Sequence, residues 1–295
     1  MPRLLSVISI AFLFCFSAFS QAITVQDSKG TFTLDYTPKR VVVLEFSFVD
    51  ALASVNVSPI GIADDKKPNR VLKEVRDIIG EWTSVGTRSQ PSLEVISSLK
   101  PDLIIADINR HEAIYEDLLK IAPTLIIKSR GETYEDNLKS AEIVGKVLGK
   151  ETEMQQRLTQ HKNAMNAFSQ QLPNDVEVQF AVARMDKLTA HSGEAYAGGV
   201  IRALGLKNPA LTRSGKAYQT TSLEKLLAIN PEYFILGAYS TPNIVDTWKN
   251  EPLWSALKIS QNNTMHNVDG NTWSRCRGII AAERMAQDLV AIFSK

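Results

Sequence analysis

SLEVISSLKPDLII, residues 92–105, has a near-copy at residues 222–235, SLEKLLAINPEYFI. Both copies open Ser-Leu-Glu. Apolar side chains follow at Leu93, Ile96 and Leu99, and again at Leu223, Leu226 and Ile229. That spacing places them on one face of a short helix. Ser92 and Ser222 stand where a helix N-cap belongs. Pro101 and Pro231 disfavour helix at the residue before them, so each helix stops there. The apolar runs Leu103–Ala106 and Tyr233–Leu236 then read as strands. One helix–proline–strand unit in each half of the chain predicts two α/β lobes of related, Rossmann-like architecture.

The surrounding sequence supports this reading. The 295 residues are 44% hydrophobic and 22% charged, with a formal net charge of +1, so no basic excess points to nucleic acid. TVQDSKGTFTLDYTP, from Thr24, predicts a β-hairpin turning near Ser28-Lys29-Gly30. VVVLEF (41–46), PIGIAD (59–64), TSVGT (83–87), DLIIAD (102–107) and TLIIK (124–128) have the continuous, β-branched character of buried parallel strands. A helix is expected from Val49 to Val55. VEVQFAVAR (176–184), a helix near Gly198–Gly205, NTMHNVDG (263–270) and a final helix to Phe293 form the second half.

Between the halves, residues 133–171 are polar and helical in character, with a weak point at Gly149-Lys150. KETEMQQRLTQHKNAMNAFSQQL contains strong helix formers and neither Gly nor Pro. It is expected to act as a strut rather than a flexible linker. The expected boundaries are a leader at 1–22, an N-terminal lobe at 23–149, a connecting helix at 150–172 and a C-terminal lobe at 173–295.

The leader reads as a cleaved secretory signal peptide: Arg3, an apolar core from Leu4 to Phe19, and small residues Ser20 and Ala22 before the cut. The alternative, a membrane anchor, needs a longer apolar run. Removing Arg3 takes the net charge from +1 to 0. Cys276 is the one cysteine left after cleavage, so no internal disulfide is expected.

Ligands of α/β lobes bind beyond the carboxyl ends of the strands. The residues found there are Glu45 and Ser47; Arg88 and Gln90; Asn109, Arg110 and His111; Ser129 and Arg130; Arg184; and Trp273, Arg275 and Arg277. Arginine recurs at these ends, and its fork binds carboxylates bidentately while keeping its charge. Such a cleft suits a multiply charged oxyanion. The GxSxG, P-loop, GxGxxG and HExxH signatures of enzymes are absent. His111, His161, His191 and His266 are scattered, so no protein-ligated metal site is expected, and His161 is read as a solvated residue of the strut. Glu94 and Glu224 fall at the second helical position of the two copies, where a negative charge favours the helix dipole. A two-fold partner with basic sockets would recognise the same pair.

The leader, the two lobes, the helical strut and the doubled SLE…P unit together resemble the periplasmic binding proteins of siderophore and vitamin B12 importers. These are the helical-backbone, class III solute-binding proteins of ABC transporters. VVVLEFSFVDALASV, SVGTRSQPSLEVISSLKPDLIIADINRH and GNTWSRCRGIIAAERMA are similar to the ferric-dicitrate-binding members.

The resemblance implies a shallow cleft between the lobes, a ligand of iron(III) held by citrate, no catalysis, no cofactor, and a monomer in the periplasm. It implies ligand contacts from Arg88, and from Trp273 at a tryptophan position of the hydroxamate binders. Arg275 and Arg277 lack a hydroxamate counterpart and would be the citrate-specific addition. Tyr196 stands where the citrate relatives have tryptophan. Glu94 and Glu224 match the glutamates that the family presents, one per lobe, to arginines of the importer's two membrane subunits. Other readings are a carrier of another anionic siderophore or haem, a secreted α/β enzyme, and a cell-wall interaction module with an exposed apolar face.

Overall fold

The computed structural model describes residues 22–209 and 215–294. The expected signal peptide, save Ala22, lies outside the described residues. The first hairpin forms as expected: Ile23–Asp27 pairs antiparallel with Gly30–Leu34 across Ser28 and Lys29.

In the N-terminal lobe five parallel strands run in the order Thr83–Ser84, Gly61–Ile62, Val41–Val43, Leu103–Asp107, Thr124–Ile127. The chain starts at the centre and winds outward on both sides. Val41–Val43, Leu103–Asp107 and Thr124–Ile127 are buried along their whole length, which is why they lack polar alternation. TSVGT is not one strand. It splits at Val85, and Gly86–Thr87 turns back onto Gln90–Pro91 as a small hairpin with Arg88 and Ser89 at its tip. The helix after the first strand starts earlier than expected and spans Phe46–Ser54.

The C-terminal sheet is mixed, where two similar lobes were expected. Its order is Tyr218–Thr221, Leu188–His191, Val178–Ala183, Tyr233–Ala238, Met265–Val268. The last three strands are parallel and the first three form an antiparallel meander. After Ala183 the chain reverses through a tight turn closed by Arg184 N–H donating to the Lys187 carbonyl at 2.8 Å. An antiparallel neighbour needs such a turn, not a crossover helix.

The duplicated unit behaves alike in both lobes. Ser92 Oγ accepts from Val95 N–H and Ser222 Oγ from Lys225 N–H, capping helices Leu93–Ser98 and Leu223–Ile229. Lys100 and Asn230 both turn left-handed, at φ 47° and 45°, ahead of the prolines. The acids then hold the entry to each lobe's first strand. Asp102 accepts from the backbone of Lys39 and Arg40, each at 2.8 Å, and Glu232 accepts from Glu177 N–H at 2.9 Å.

The connection is a trio of helices rather than one strut. Helix Tyr134–Val147 opens with a capping box of Thr133 and Asp136 and ends before Gly149 at φ 67°. Backbone helix Glu151–Ser169 follows, and the final helix Ile279–Phe293 packs against it. Val144, Met154 and Ile279 belong to the N-terminal core, while Tyr134, Met165 and Met285 belong to the C-terminal core. Each helix therefore inserts into both lobes.

His161 corrects an expectation. It is 1% exposed, with Nε2 2.5 Å from the Tyr134 hydroxyl and Nδ1 2.8 Å from Glu283, which also receives both Arg157 nitrogens at 2.8 Å. The imidazole faces the other two helices, not solvent. Among the described residues no helix is long and apolar enough to cross a membrane.

Candidate functional site

The carboxyl ends of both sheets face one cleft of about 340 Å³. Arg88, Arg110, Arg130, Arg184, Arg275 and Arg277 line it, with Thr189, His191, Tyr218, Tyr239 and Ser274 among the other residues. Larger hollows of about 500 and 620 Å³ lie against the backbone helix, away from the strand ends and with mixed charge.

The arginines fall into two groups. Arg88, Arg110 and Arg277 are held from below by buried acids. Glu45, fully buried, contacts Arg110, lies 3.3 Å from Arg277 and 3.6 Å from Arg88. Glu132, also fully buried, accepts from Arg277 Nε at 3.2 Å and from the Asn137 amide at 3.1 Å. Arg88 also pairs with Asp65 at 2.8 Å and stacks 4.1 Å above Phe46. Burial opposes the Asp65 charge, but Arg88 and Arg70 outweigh it and hold its pKa at about 2. Burial also opposes the Arg277 charge, and Glu45 and Glu132 outweigh it, raising the arginine's pKa.

Arg130, Arg184 and Arg275 have no ion pair among the described residues. Arg275 and Arg184 both lie over the same ring, 3.7 and 5.2 Å from the centre of Tyr239. Burial lowers the Arg275 pKa, Tyr239 opposes that, and neighbouring Arg70 and Arg88 lower it further. The positive charge there is met by no carboxylate among the described residues. Among the described residues no cluster of His, Cys, Asp or Glu is placed to hold a metal ion.

The family model described as "Periplasmic binding protein" covers residues 41–270. The chain belongs to the periplasmic binding protein family. It is 50% identical over 290 residues to the Fe(3+) dicitrate-binding periplasmic protein FecB of Escherichia coli, covering 98% of this chain and 93% of FecB. It is 44% identical over 268 residues to the Fe(3+)-citrate-binding protein YfmC of Bacillus subtilis, covering 90% and 84%. Among solved structures, Staphylococcus aureus SirA complexed with staphyloferrin B superposes with a TM-score of 0.81 at 25% identity, covering 92% of this chain and 98% of SirA.

The fold of this binding protein brings together the arginines expected from sequence and removes several other candidates from the cleft. Glu45 and Ser47 lie beneath it, buried; Ser47 shares a 2.7 Å hydrogen bond with Ser129, which accepts from Arg277 at 2.9 Å. His111 is fully buried. Its Nδ1 accepts from Asp107 N–H, so the ring proton sits on Nε2 and is donated to the Arg88 carbonyl at 2.7 Å. Burial lowers its pKa and keeps it neutral. His111 therefore shapes the Arg88 turn rather than touching a ligand.

Tyr196 is in the core, with its hydroxyl bonded to the Gly278 backbone on both sides. Trp273 is fully buried against Phe180 and donates to Asp288 at 2.9 Å. Gln90 is exposed on the small hairpin and is not part of the lining. Glu94 and Glu224 are exposed at the first turns of their helices, one on each lobe.

Sequence reasoning missed Tyr218, Tyr239, Ser274 and His191. Tyr239 follows directly on strand Tyr233–Ala238, so the strand-end rule that found the arginines could have found it. His191 ends the strand Leu188–His191, whose antiparallel direction was not expected. Burial first, and then Arg277, push its pKa down to about 3, so it meets the cleft as a neutral ring between Phe180 and Tyr218.

Proposed function

We propose that this binding protein captures iron(III) held by citrate in the periplasm and delivers it to an inner-membrane ABC importer, without making or breaking a bond. The observation that carries the reading is the cleft lined by six arginines, three of them without a carboxylate partner among the described residues. Citrate would ligate the cargo iron, leaving outer carboxylates for the guanidinium forks to grip. Arg130, Arg184 and Arg275 are the groups offered as ligand contacts, over a floor of Arg88, Arg110 and Arg277. The names of FecB and YfmC, full-length relatives, support the choice of ligand. Exposed Glu94 and Glu224, one per lobe on matching helices, would meet basic sockets of a two-fold importer.

Calorimetric titration with ferric citrate, with gallium citrate as a redox-inert mimic, tests the reading. Saturable binding of both is expected. Binding of a ferric hydroxamate or of haem, with no heat from either citrate complex, would retain the fold and overturn the ligand.

A further inference from the structure

Glu45 is an unusual group to find under an anion-binding cleft. A carboxylate there weakens the positive field, and burying it is costly unless it is paired. It is fully buried at the N-cap of helix Phe46–Ser54, and its own side chain caps nothing. Instead it faces three guanidinium groups from three separate chain segments: the small hairpin (Arg88), the helix after Leu103–Asp107 (Arg110), and the turn before the final helix (Arg277). Ser129 and Glu132 close the far side of Arg277.

We propose that Glu45 is the positioning residue of the cleft and a determinant of its selectivity. It locks three arginines, drawn from three separate chain segments, into a fixed floor. A bulky metal–citrate complex then meets an array already spaced for it. A small free polycarboxylate cannot draw the floor arginines inward around itself. Preorganisation lowers the ordering cost for the matching ligand, and rigidity withholds contacts from the smaller one. This inference rests on the ferric citrate reading for its choice of ligands.

The test compares gallium citrate with metal-free citrate in the wild type, in Glu45→Gln, which keeps the shape and removes the charge, and in Ser129→Ala, which removes one support of Arg277. The expected result is that the ratio of the two affinities, complex over free citrate, falls by about tenfold or more in Glu45→Gln and by about threefold in Ser129→Ala. Equal loss of both affinities would reduce Glu45 to a structural support. An unchanged ratio with both affinities raised would reduce it to a charge offset. Either result overturns the proposal, as does no change.

Ser129→Ala carries the test if Glu45→Gln does not fold. If the wild type binds no gallium citrate, the ligand reading fails by itself. The lock is then read from arginine Nε–H exchange by NMR in the free protein. Protection of the Arg110 Nε–H, which faces Glu45, supports the lock where Glu45→Gln weakens it, and rapid exchange of that proton in the wild type overturns it.

Discussion

The hydroxyl of Tyr134 lies 2.5 Å from Nε2 of His161, joining the two helices that run between the lobes. Glu283 of the final helix takes the other imidazole nitrogen, so one buried ring links all three helices. Replacing His161 with Ala should leave Tyr134 without its partner and Glu283 with Arg157 alone, and destabilise the protein by about 2–4 kcal/mol. Chemical denaturation followed by circular dichroism measures this. A loss below about 0.5 kcal/mol would mean that the network contributes little.

The same network sets an acid limit. Burial opposes the Glu283 charge, but His161 and Arg157 outweigh it and hold the pKa at about 2. The folded value lies below the ordinary glutamate value of about 4.3. Its stabilisation is therefore present above about pH 4.3 and is lost as pH falls through about 2. Glu283→Gln should flatten that part of the stability profile. A profile as steep as the wild type's would assign acid sensitivity to other groups.

Asp50 works in the opposite direction. Its carboxylate accepts from Ile280 and Ala281 N–H, each at 3.0 Å, capping the final helix from helix Phe46–Ser54. Burial nevertheless raises its pKa to about 7. A carboxyl with a raised folded value gives stability that is fully present below the unfolded value of about 3.9 and is lost as pH rises through about 7. In Asp50→Asn, thermal denaturation between pH 4 and 8 should show a smaller decline than the wild type.

How much of this was legible depended on whether a residue's neighbours lie nearby in sequence. The parallel strands and the arginines at their ends were readable because strand character and strand-end position are local. The roles of Glu45, His111, Tyr196 and Trp273 were not. Each is set by partners from distant segments, such as Gly278 for Tyr196. His161 had a signal that was available: it continues the stripe of Met154, Leu158 and Met165, spaced four, three and four residues apart, which faces the other helices. The antiparallel half of the second sheet was hidden because Arg184–Lys187 has neither Gly nor Pro to announce a turn.

Gly278 shows how tightly the lobes are fitted. Its φ is 141°, and an added Cβ would lie 2.1 Å from Asp50 Cγ. Gly278→Ala must strain the backbone and displace the cap, so a loss above about 2 kcal/mol is expected. A melting temperature equal to that of the wild type would show that the junction relaxes freely.

Arg275 and Arg277 lie two residues apart and should respond to mutation in opposite ways. Arg275 has no carboxylate partner among the described residues and stacks on Tyr239. Arg275→Ala should therefore cost less than about 1 kcal/mol of stability, yet weaken gallium citrate binding by about tenfold to a hundredfold. Arg277 is 4% exposed and answers two buried acids. Arg277→Ala takes one of three guanidiniums from Glu45, leaves Glu132 with Asn137, and empties a buried site, at a cost of about 2–4 kcal/mol. Burial, against the pull of Arg277, already raises the Glu132 pKa to about 8, and loss of the guanidinium should raise it further. Calorimetry and denaturation on both variants separate a ligand contact from a floor support. Equal stability losses in the two would erase the distinction between free and locked arginines on which the reading of the cleft depends.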